Sequence, residues 1–433
     1  MAKIATTLWT HKKKAAVLFG AIAWGTNYGL EKRRIHEIMR SLCLEAKQFG
    51  DRPIPIGQQV RKAVVILNYG SHKSKARKLY ENYAAPLLNL AGIQTTIYAT
   101  DDTTKLREYL EHIEQTDAVI FAGGDDTVFE CIQAYFKLDK PGLSSTPVGI
   151  LPLGYSNAVY NALRPEKLED VLKIAQAAMA AAKGACAASD VLEIKNGDNA
   201  EKDYAIVGLQ WGSLRDVETV VPKYWYLGPF APLFTYCLAT VKRSLTSIST
   251  VLQYVNVCPG CSKCEQLVVT TTTITNAPRT WWQNIISRRK HDLAVPHSTL
   301  PQKFSDEVNE DCGIIHEDSL VTEDLHILTR NCTVPVHLHS DERYLYLTFR
   351  RPDIDTLWSK SKLRSRFLNE VNKLGDVEHY AKRTLQEVRI LPKENDLVQH
   401  PKMEIDGRVV EIKGPLHVKL HPKKLFLFSP EVG

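Results

Sequence analysis

Residues 117–137 read DAVIFAGGDDTVFECIQAYFK, and the fold follows from how this stretch breaks. Ala118 to Phe121 is an unbroken apolar run suited to a buried strand. It stops at Ala122-Gly123-Gly124, and from Thr127 onward Val128, Cys131, Ile132 and Phe136 recur at helical spacing. Strand, glycine turn and helix together aim backbone N–H groups and a helix N-terminus at an anion such as phosphate. Glycines at the turn admit a ligand closely because no Cβ intervenes. Two adjacent carboxylates, Asp125 and Asp126, follow them. A Gly-Gly pair also arises wherever a strand and helix simply pack, so the turn needs companions.

Working outward, companions appear on both sides. Ala63 to Leu67 is a short apolar strand ending at Asn68-Tyr69-Gly70-Ser71, and Pro147 to Leu151 is another, turning at Pro152-Leu153-Gly154. Between them the pattern predicts helices over 76–90 and 103–113 and a strand over 92–98. Strands alternating with helices at this interval indicate a parallel sheet covered on both faces. Ligands of such sheets sit at the carboxyl ends of the strands, which places the loops 68–75, 122–127 and 152–157 on one edge. An alanine-rich helix over 168–183, capped by Gly184, closes this half.

From about Asp190 the pattern changes to short β-branched and aromatic runs at 191–194, 204–207, 252–257, 267–274, 325–328, 343–349, 409–412 and 416–425. These predict a mainly antiparallel second domain. The expected fold class is therefore α/β plus β: an α/β nucleotide domain over 61–185, then a β-sandwich over 186–433. Charge and proline make 279–323 an insertion or loop, and 352–397 is an exception among the strands, where helical spacing over 353–363 and 367–374 suggests an excursion over the sheet. Tyr224-Trp225-Tyr226 reads as a core element. Trp281-Trp282 with Arg288, Arg289 and Lys290 suits either a membrane interface or packing on the sandwich.

The net charge of +6 over 433 residues, with basic residues scattered, excludes a basic stripe for nucleic acid. Before Glu31 there is no acidic residue, while Lys3, Lys12, Lys13 and Lys14 are basic. Ala15 to Leu30 is apolar but interrupted and shorter than the ~20 residues that span a bilayer comfortably. Lacking a clean cleavage site, residues 1–34 fit a mitochondrial signal-anchor, with a buried N-terminal helix as the plain alternative. Residues 35–60 read as a helix followed by a Pro53-Ile54-Pro55 linker. Nine irregularly spaced cysteines argue against a secreted disulfide framework. Cys258, Cys261 and Cys264 have the spacing of zinc ligands, but zinc takes four, and Cys312, His316 and Cys332 lie far along the chain. The cluster therefore reads as a loop with incidental thiols.

With these residues in view, the chain resembles the diacylglycerol and sphingosine lipid kinase superfamily. The resemblance rests on Asn68 and Lys73, on Gly123-Gly124-Asp125-x-Thr127 with Glu130, on Leu151-Pro152-Leu153-Gly154 with Asn157, and on Asp406-Gly407 before a strand. Gly208-x-x-Trp211-Gly212-Ser213 and Lys223 to Pro229 make it similar to the mitochondrial acylglycerol kinase branch. NAD kinases share the phosphate turn, but the Leu-Pro-Leu-Gly turn, the Trp-Gly-Ser segment and the apolar N-terminus favour a lipid kinase. The resemblance implies transfer of the γ-phosphoryl group of ATP, with Mg²⁺, to a mono- or diacylglycerol hydroxyl. It implies Asp125 and Asp406 as catalytic carboxylates and Gly123, Gly124, Thr127 and Gly154 as the phosphate turns. Asn68 and Asn157 would position the nucleotide, Lys73 would counter phosphate charge, and Asp126 and Glu130 would border the site. It also implies residence at the mitochondrial inner membrane, facing the intermembrane space. A second role in that branch, as a subunit of the mitochondrial carrier translocase, requires no catalysis.

The sequence departs from the pattern in each loop. Asp126 stands where Gly-Gly-Asp-Gly-Thr has its third glycine, Ala158 follows Asn157 where an aspartate is usual, and Arg408 replaces the glutamate of Asp-Gly-Glu. A carboxylate about 4 Å from a phosphate charge costs about 4 kcal/mol at an effective dielectric near 20, of order a thousandfold in affinity. The lipid kinase and the translocase subunit thus both stand as readings of this sequence.

Overall fold

The computed structural model describes residues 12–54, 59–71, 75–113, 116–138, 145–155, 157–164, 168–198, 200–241, 247–258, 308–332, 344–350 and 380–429, with single positions between. A long helix, α1 (Lys12–Gly50), opens it. Its residues 25–34 are exposed, whereas Met39, Leu42, Cys43, Ala46 and Phe49 pack onto the body. The helix runs straight through the boundary expected at residue 34. Among the described residues no helix is long and apolar enough to cross a membrane.

The first half follows the expected alternation. Four parallel strands, β1 (Lys62–Asn68), β2 (Gln94–Thr100), β3 (Ala118–Gly123) and β4 (Val148–Pro152), lie in the order β2-β1-β3-β4. Helix α2 (76–90) contains a wide π turn at Tyr80–Ala84, just where Pro86 brings no N–H to the helical ladder. Then come α3 (Lys105–His112), α4 (Asp125–Lys137), α5 (Ala158–Leu163) and α6 (Asp170–Lys183), the last capped by Gly184 at a φ of 69°. Side chains of a strand alternate between faces. Val65, Leu67 and Ile120 accordingly join the core beneath α2 and α6, while Val64, Ile66, Val119 and Phe121 join the one beneath α3 and α4.

The second half comprises β5 (Cys186–Asn196), β6 (Lys202–Ala205), β7 (Gly208–Gly212), β8 (Ile248–Asn256), β9 (Ile315–Thr322), β10 (Asp324–Leu328), β11 (Leu345–Arg350), β12 (Tyr380–Pro392), β13 (Lys402–Ile405), β14 (Arg408–Glu411) and β15 (Leu416–Phe428). Short helices α7 (Ser213–Val220), α8 (Ala231–Val241) and α9 (Glu394–Gln399) interrupt them. The main path runs β14-β13-β7-β10-β11-β12-β15 and passes through β15 into β4 and the parallel strands. Leu192, Trp211, Leu325, Leu347, Val388 and Met403 lie in the core of this half, and the Trp211 indole donates to the His400 carbonyl at 2.9 Å.

Three expectations are corrected. The segment read as insertion includes strand β9, and the segment read as helical excursion ends in the long strand β12. Tyr224-Trp225-Tyr226 is no core element: Trp225 and Tyr226 are 78% and 64% exposed on a 3₁₀ turn at Val221–Phe230. The helices α7 and α8 had no counterpart in the sequence pattern. The runs at 267–274, 353–363 and 367–374 and the Trp281-Trp282 pair lie outside the described residues, as do Lys73 and Cys264.

Candidate active site

Strands β1, β3 and β4 end together, and side chains tie their loops at that edge. Asn68, the last residue of β1, donates from Nδ2 to Thr127 Oγ1 at 2.9 Å and accepts the Gly70 N–H at 3.1 Å. Thr127 is buried in the first turn of α4, and Leu153 N–H reaches the Gly123 carbonyl at 3.0 Å. A Cβ at Gly123 would fall 2.4 Å from Thr127 Oγ1, so glycine is required by close approach. Gly124 precedes α4 in extended conformation, and no side chain caps the helix. Its first N–H groups therefore remain available for an anion.

Asn157 closes the third loop on itself. Its Oδ1 accepts the Gly154 N–H at 2.9 Å and its Nδ2 donates to the Gly154 carbonyl at 3.0 Å. The asparagine thus fixes the shape of the turn.

Asp125 joins this loop to the phosphate turn. Its two oxygens accept the N–H groups of Ala158 at 3.0 Å and Val159 at 2.9 Å, at the start of α5. This helix-terminal carboxylate serves a neighbouring helix rather than its own. Against it sits the Asp406-Gly407 turn between β13 and β14. Gly407 has a φ of +82°, and a Cβ there would lie 2.8 Å from the Asp125 Cβ; no other residue type satisfies both conditions. Asp406 is itself in the left-handed region, with φ 46°. Its carboxylate accepts three backbone N–H groups, from Ile206 at 2.7 Å, Val207 at 3.0 Å and Gly208 at 2.9 Å. Burial pushes Asp406 up to about 6; the three donors oppose the rise and the Asp125 charge adds to it. Burial also raises Glu404 on β13, with Arg215 opposing and Asp125 adding. Three acidic groups are electrostatically coupled here, two of them contributed by the second half of the chain.

Asp126 and Glu130 complete the expected set. Asp126 is exposed on the first turn of α4. Glu130 pairs with Arg408, whose guanidinium lies 5.1 Å over the Phe129 ring. Arginine at the position of the family's glutamate thus has a partner of opposite charge one helical turn past Asp126. What the sequence did not disclose are the donors: the N–H groups of 158–159 and 206–208 carry no side-chain signal. Glu404 and Arg408 were legible only as neighbours of the Asp-Gly turn.

A family model described as the diacylglycerol kinase catalytic domain matches residues 62–194, and one described as the acylglycerol kinase C-terminal region matches residues 206–431. The chain belongs to the acylglycerol kinase family. It is 34% identical to mitochondrial acylglycerol kinase of Homo sapiens over 327 residues, covering 75% of this chain and 74% of the relative. With the Xenopus laevis protein of the same name it shares 38% identity over 242 residues, 56% of each chain. A crystal structure of a diacylglycerol kinase from Bacillus anthracis superposes over 87% of this chain and all of the other, at a TM-score of 0.50 and 13% identity. At that identity the likeness establishes the fold. Family membership accounts for the pairing of a parallel nucleotide-type half with an antiparallel half.

Proposed function

We propose that this member of the lipid kinase family transfers the γ-phosphoryl group of ATP to the free hydroxyl of a mono- or diacylglycerol. The observation that carries the reading is the meeting of Asn68, Gly123–Thr127 and Gly154–Val159 at the carboxyl edge of the parallel strands, with the Asp406-Gly407 turn laid against Asp125. The residues present fit a phosphate: the glycine turn leaves room that a Cβ would fill, and the N-terminus of α4 has no side-chain cap. They also fit Mg²⁺, since each oxygen of Asp125 accepts one N–H and keeps a further lone-pair site beside the turn. When bound with the nucleotide, Mg²⁺ would neutralise phosphate charge.

In this reading the α4 N–H groups hold phosphate oxygens, and Asn68 keeps Thr127 in place beneath them. Asp125 spends one lone-pair site of each oxygen on α5 and retains others, enough to accept the hydrogen of an acceptor hydroxyl. Asp406 acts at one remove: it fixes the turn whose Gly407 packs on Asp125. The exposed Trp225, Tyr226 and Phe230 supply an aromatic surface of the kind that rests at a lipid interface, and residues 25–34 of α1 are exposed to solvent. The relatives are named mitochondrial, which supports a mitochondrial location; the inner membrane, facing the intermembrane space, is our proposal from the basic and apolar N-terminal segment. Phosphoryl transfer from labelled ATP to monooleoylglycerol and diacylglycerol in detergent micelles tests the reaction. Turnover should exceed that of Asp125→Asn and Gly123→Ala by at least tenfold; equal rates in all three would end the kinase reading.

A second reading has its own observation. Both carboxylates implied as catalytic accept backbone N–H groups, two for Asp125 and three for Asp406, as structural carboxylates do. A kinase fold kept as a subunit of the mitochondrial carrier translocase would need nothing more of them. Carrier import should then depend on residues 1–34 and be indifferent to Gly123→Ala. Import that survives loss of residues 1–34 would count against this reading.

A further inference from the structure

The thiols set aside as incidental are brought together by the antiparallel hairpin of β8 and β9. Its last register pair is Val255 with Ile315. Cys258 lies three residues beyond Val255, and Cys312 three residues before Ile315, so continuing the ladder sets these two opposite each other. Cys261 follows at the Cys-x-x-Cys spacing. The Sγ atoms of Cys258, Cys261 and Cys312 all lie within 4.8 Å of one another. Cys261 is buried, the other two are half-buried, and all three are free of disulfides.

We infer that Cys258, Cys261 and Cys312 bind a zinc ion that clamps the base of the insertion between β8 and β9. Zinc–thiolate bonds of about 2.3 Å in a tetrahedron separate sulfurs by about 3.8 Å, within the spread observed. A disulfide would use two of the three sulfurs and strand the third beside it, whereas a metal uses all three. Soft thiolates select zinc over magnesium or calcium. Asn309 donates from Nδ2 to Cys258 Sγ at 3.4 Å, the kind of outer donor that orients a ligand sulfur. Binding releases the three thiol protons to solvent and leaves one tetrahedral position for a fourth ligand. Its effect is to join two chain segments that the long insertion would otherwise let separate, so metal affinity and local folding are coupled. The site shares no residue with the acidic turns described above and does not depend on the proposed reaction.

The test uses the full chain purified without added metal. Elemental analysis should find about one zinc per chain, and Cys312→Ser should lower that content at least tenfold while Cys43→Ser leaves it unchanged. Exchange with Co²⁺ should give the intense near-ultraviolet charge-transfer band of thiolate ligation. As a check independent of variant folding, alkylation mapping of the wild type should find Cys258, Cys261 and Cys312 protected together and released together by chelator. Zinc well below one per chain, content unaffected by Cys312→Ser, independent alkylation of the three thiols, or a disulfide between any two would each overturn the assignment.

Discussion

Asp126 projects from the first turn of α4 into solvent, and its exposure changes the size of its expected effect. In bulk-like dielectric, two unit charges about 4 Å apart repel by about 1 kcal/mol instead of about 4. The same carboxylate stabilises the helix start through the dipole by roughly 0.3–1 kcal/mol. Replacing Asp126 by Gly should therefore tighten Mg·ATP binding only about fivefold by titration calorimetry and cost about 1 kcal/mol of stability. A gain of a hundredfold or more would mean that the carboxylate is desolvated against the phosphate. Asp406 gives a second residue-scale expectation. Its carboxyl is pushed up to about 6 in the fold, against about 3.9 in an unfolded chain. Below pH ~4 both states hold the proton and the group contributes nothing to pH dependence. Between pH ~4 and ~6 the unfolded chain ionises first, so stability falls as pH rises, by up to about 3 kcal/mol for two units, and stays level above. Urea titrations of wild type and Asp406→Asn at pH 4 and 7 should show their stability difference shifting against the wild type by that order. A difference that does not change with pH would refute the raised value.

At the scale of elements, the decisive contacts are carboxylates that reach across strands. Asp190 on β5 is fully buried; its Oδ2 accepts from Arg330 Nε at 3.0 Å and its Oδ1 from the Lys423 N–H at 2.9 Å. Lys423 lies in the bulge of β15 between His421 and Leu425, at a φ of 52°. Asp190→Ala should remove the acceptor for that bulge and leave the buried guanidinium without its carboxylate, at a cost of about 3–5 kcal/mol. Equilibrium unfolding would measure it, and a loss under 1 kcal/mol would show the pair to be incidental. The parallel strands could be read from sequence because strands buried on both faces are continuous apolar runs, as Val64 to Leu67 and Ala118 to Phe121 are. Strand β12 hid for the opposite reason. Its ladder shifts register between Leu385 and Glu387, so the buried Leu385 and Val388 stand three apart and imitate a helix. Among the described residues strand β9 pairs only with β8, at an edge of the sheet, and the adjacent acidic residues Glu317 and Asp318 in its middle read as loop. The phosphate turn was legible because Gly123 and Thr127 must touch; the partners of Asp125 and Asp406 were not, because their donors are backbone.

At the scale of the whole molecule, the two halves share one strand. The first part of β15, Leu416 to Lys419, pairs with β12 of the antiparallel half, and Leu427 pairs in parallel with Val148 of β4. Strand β5 follows β15 along its other edge through both parts. A boundary near residue 185 therefore divides the chain in sequence but not in hydrogen bonding. Strand β15, far along the chain from β1 to β4, completes the sheet that they begin. The Asp406-Gly407 turn must reach Asp125 across this join, so the geometry of the candidate site depends on β15 being seated. Leu425 is fully buried in the core beneath α3 and α4, and Leu425→Ala should cost about 2–5 kcal/mol. If the halves fold as one unit, amide exchange at residues 118–123 of β3 and 209–211 of β7 should lose protection by equal free energies in that variant. Exchange by mass spectrometry at rising urea reads both segments in one sample. A loss confined to 118–123 would establish two separately folding halves, with the acidic site assembled only by their docking.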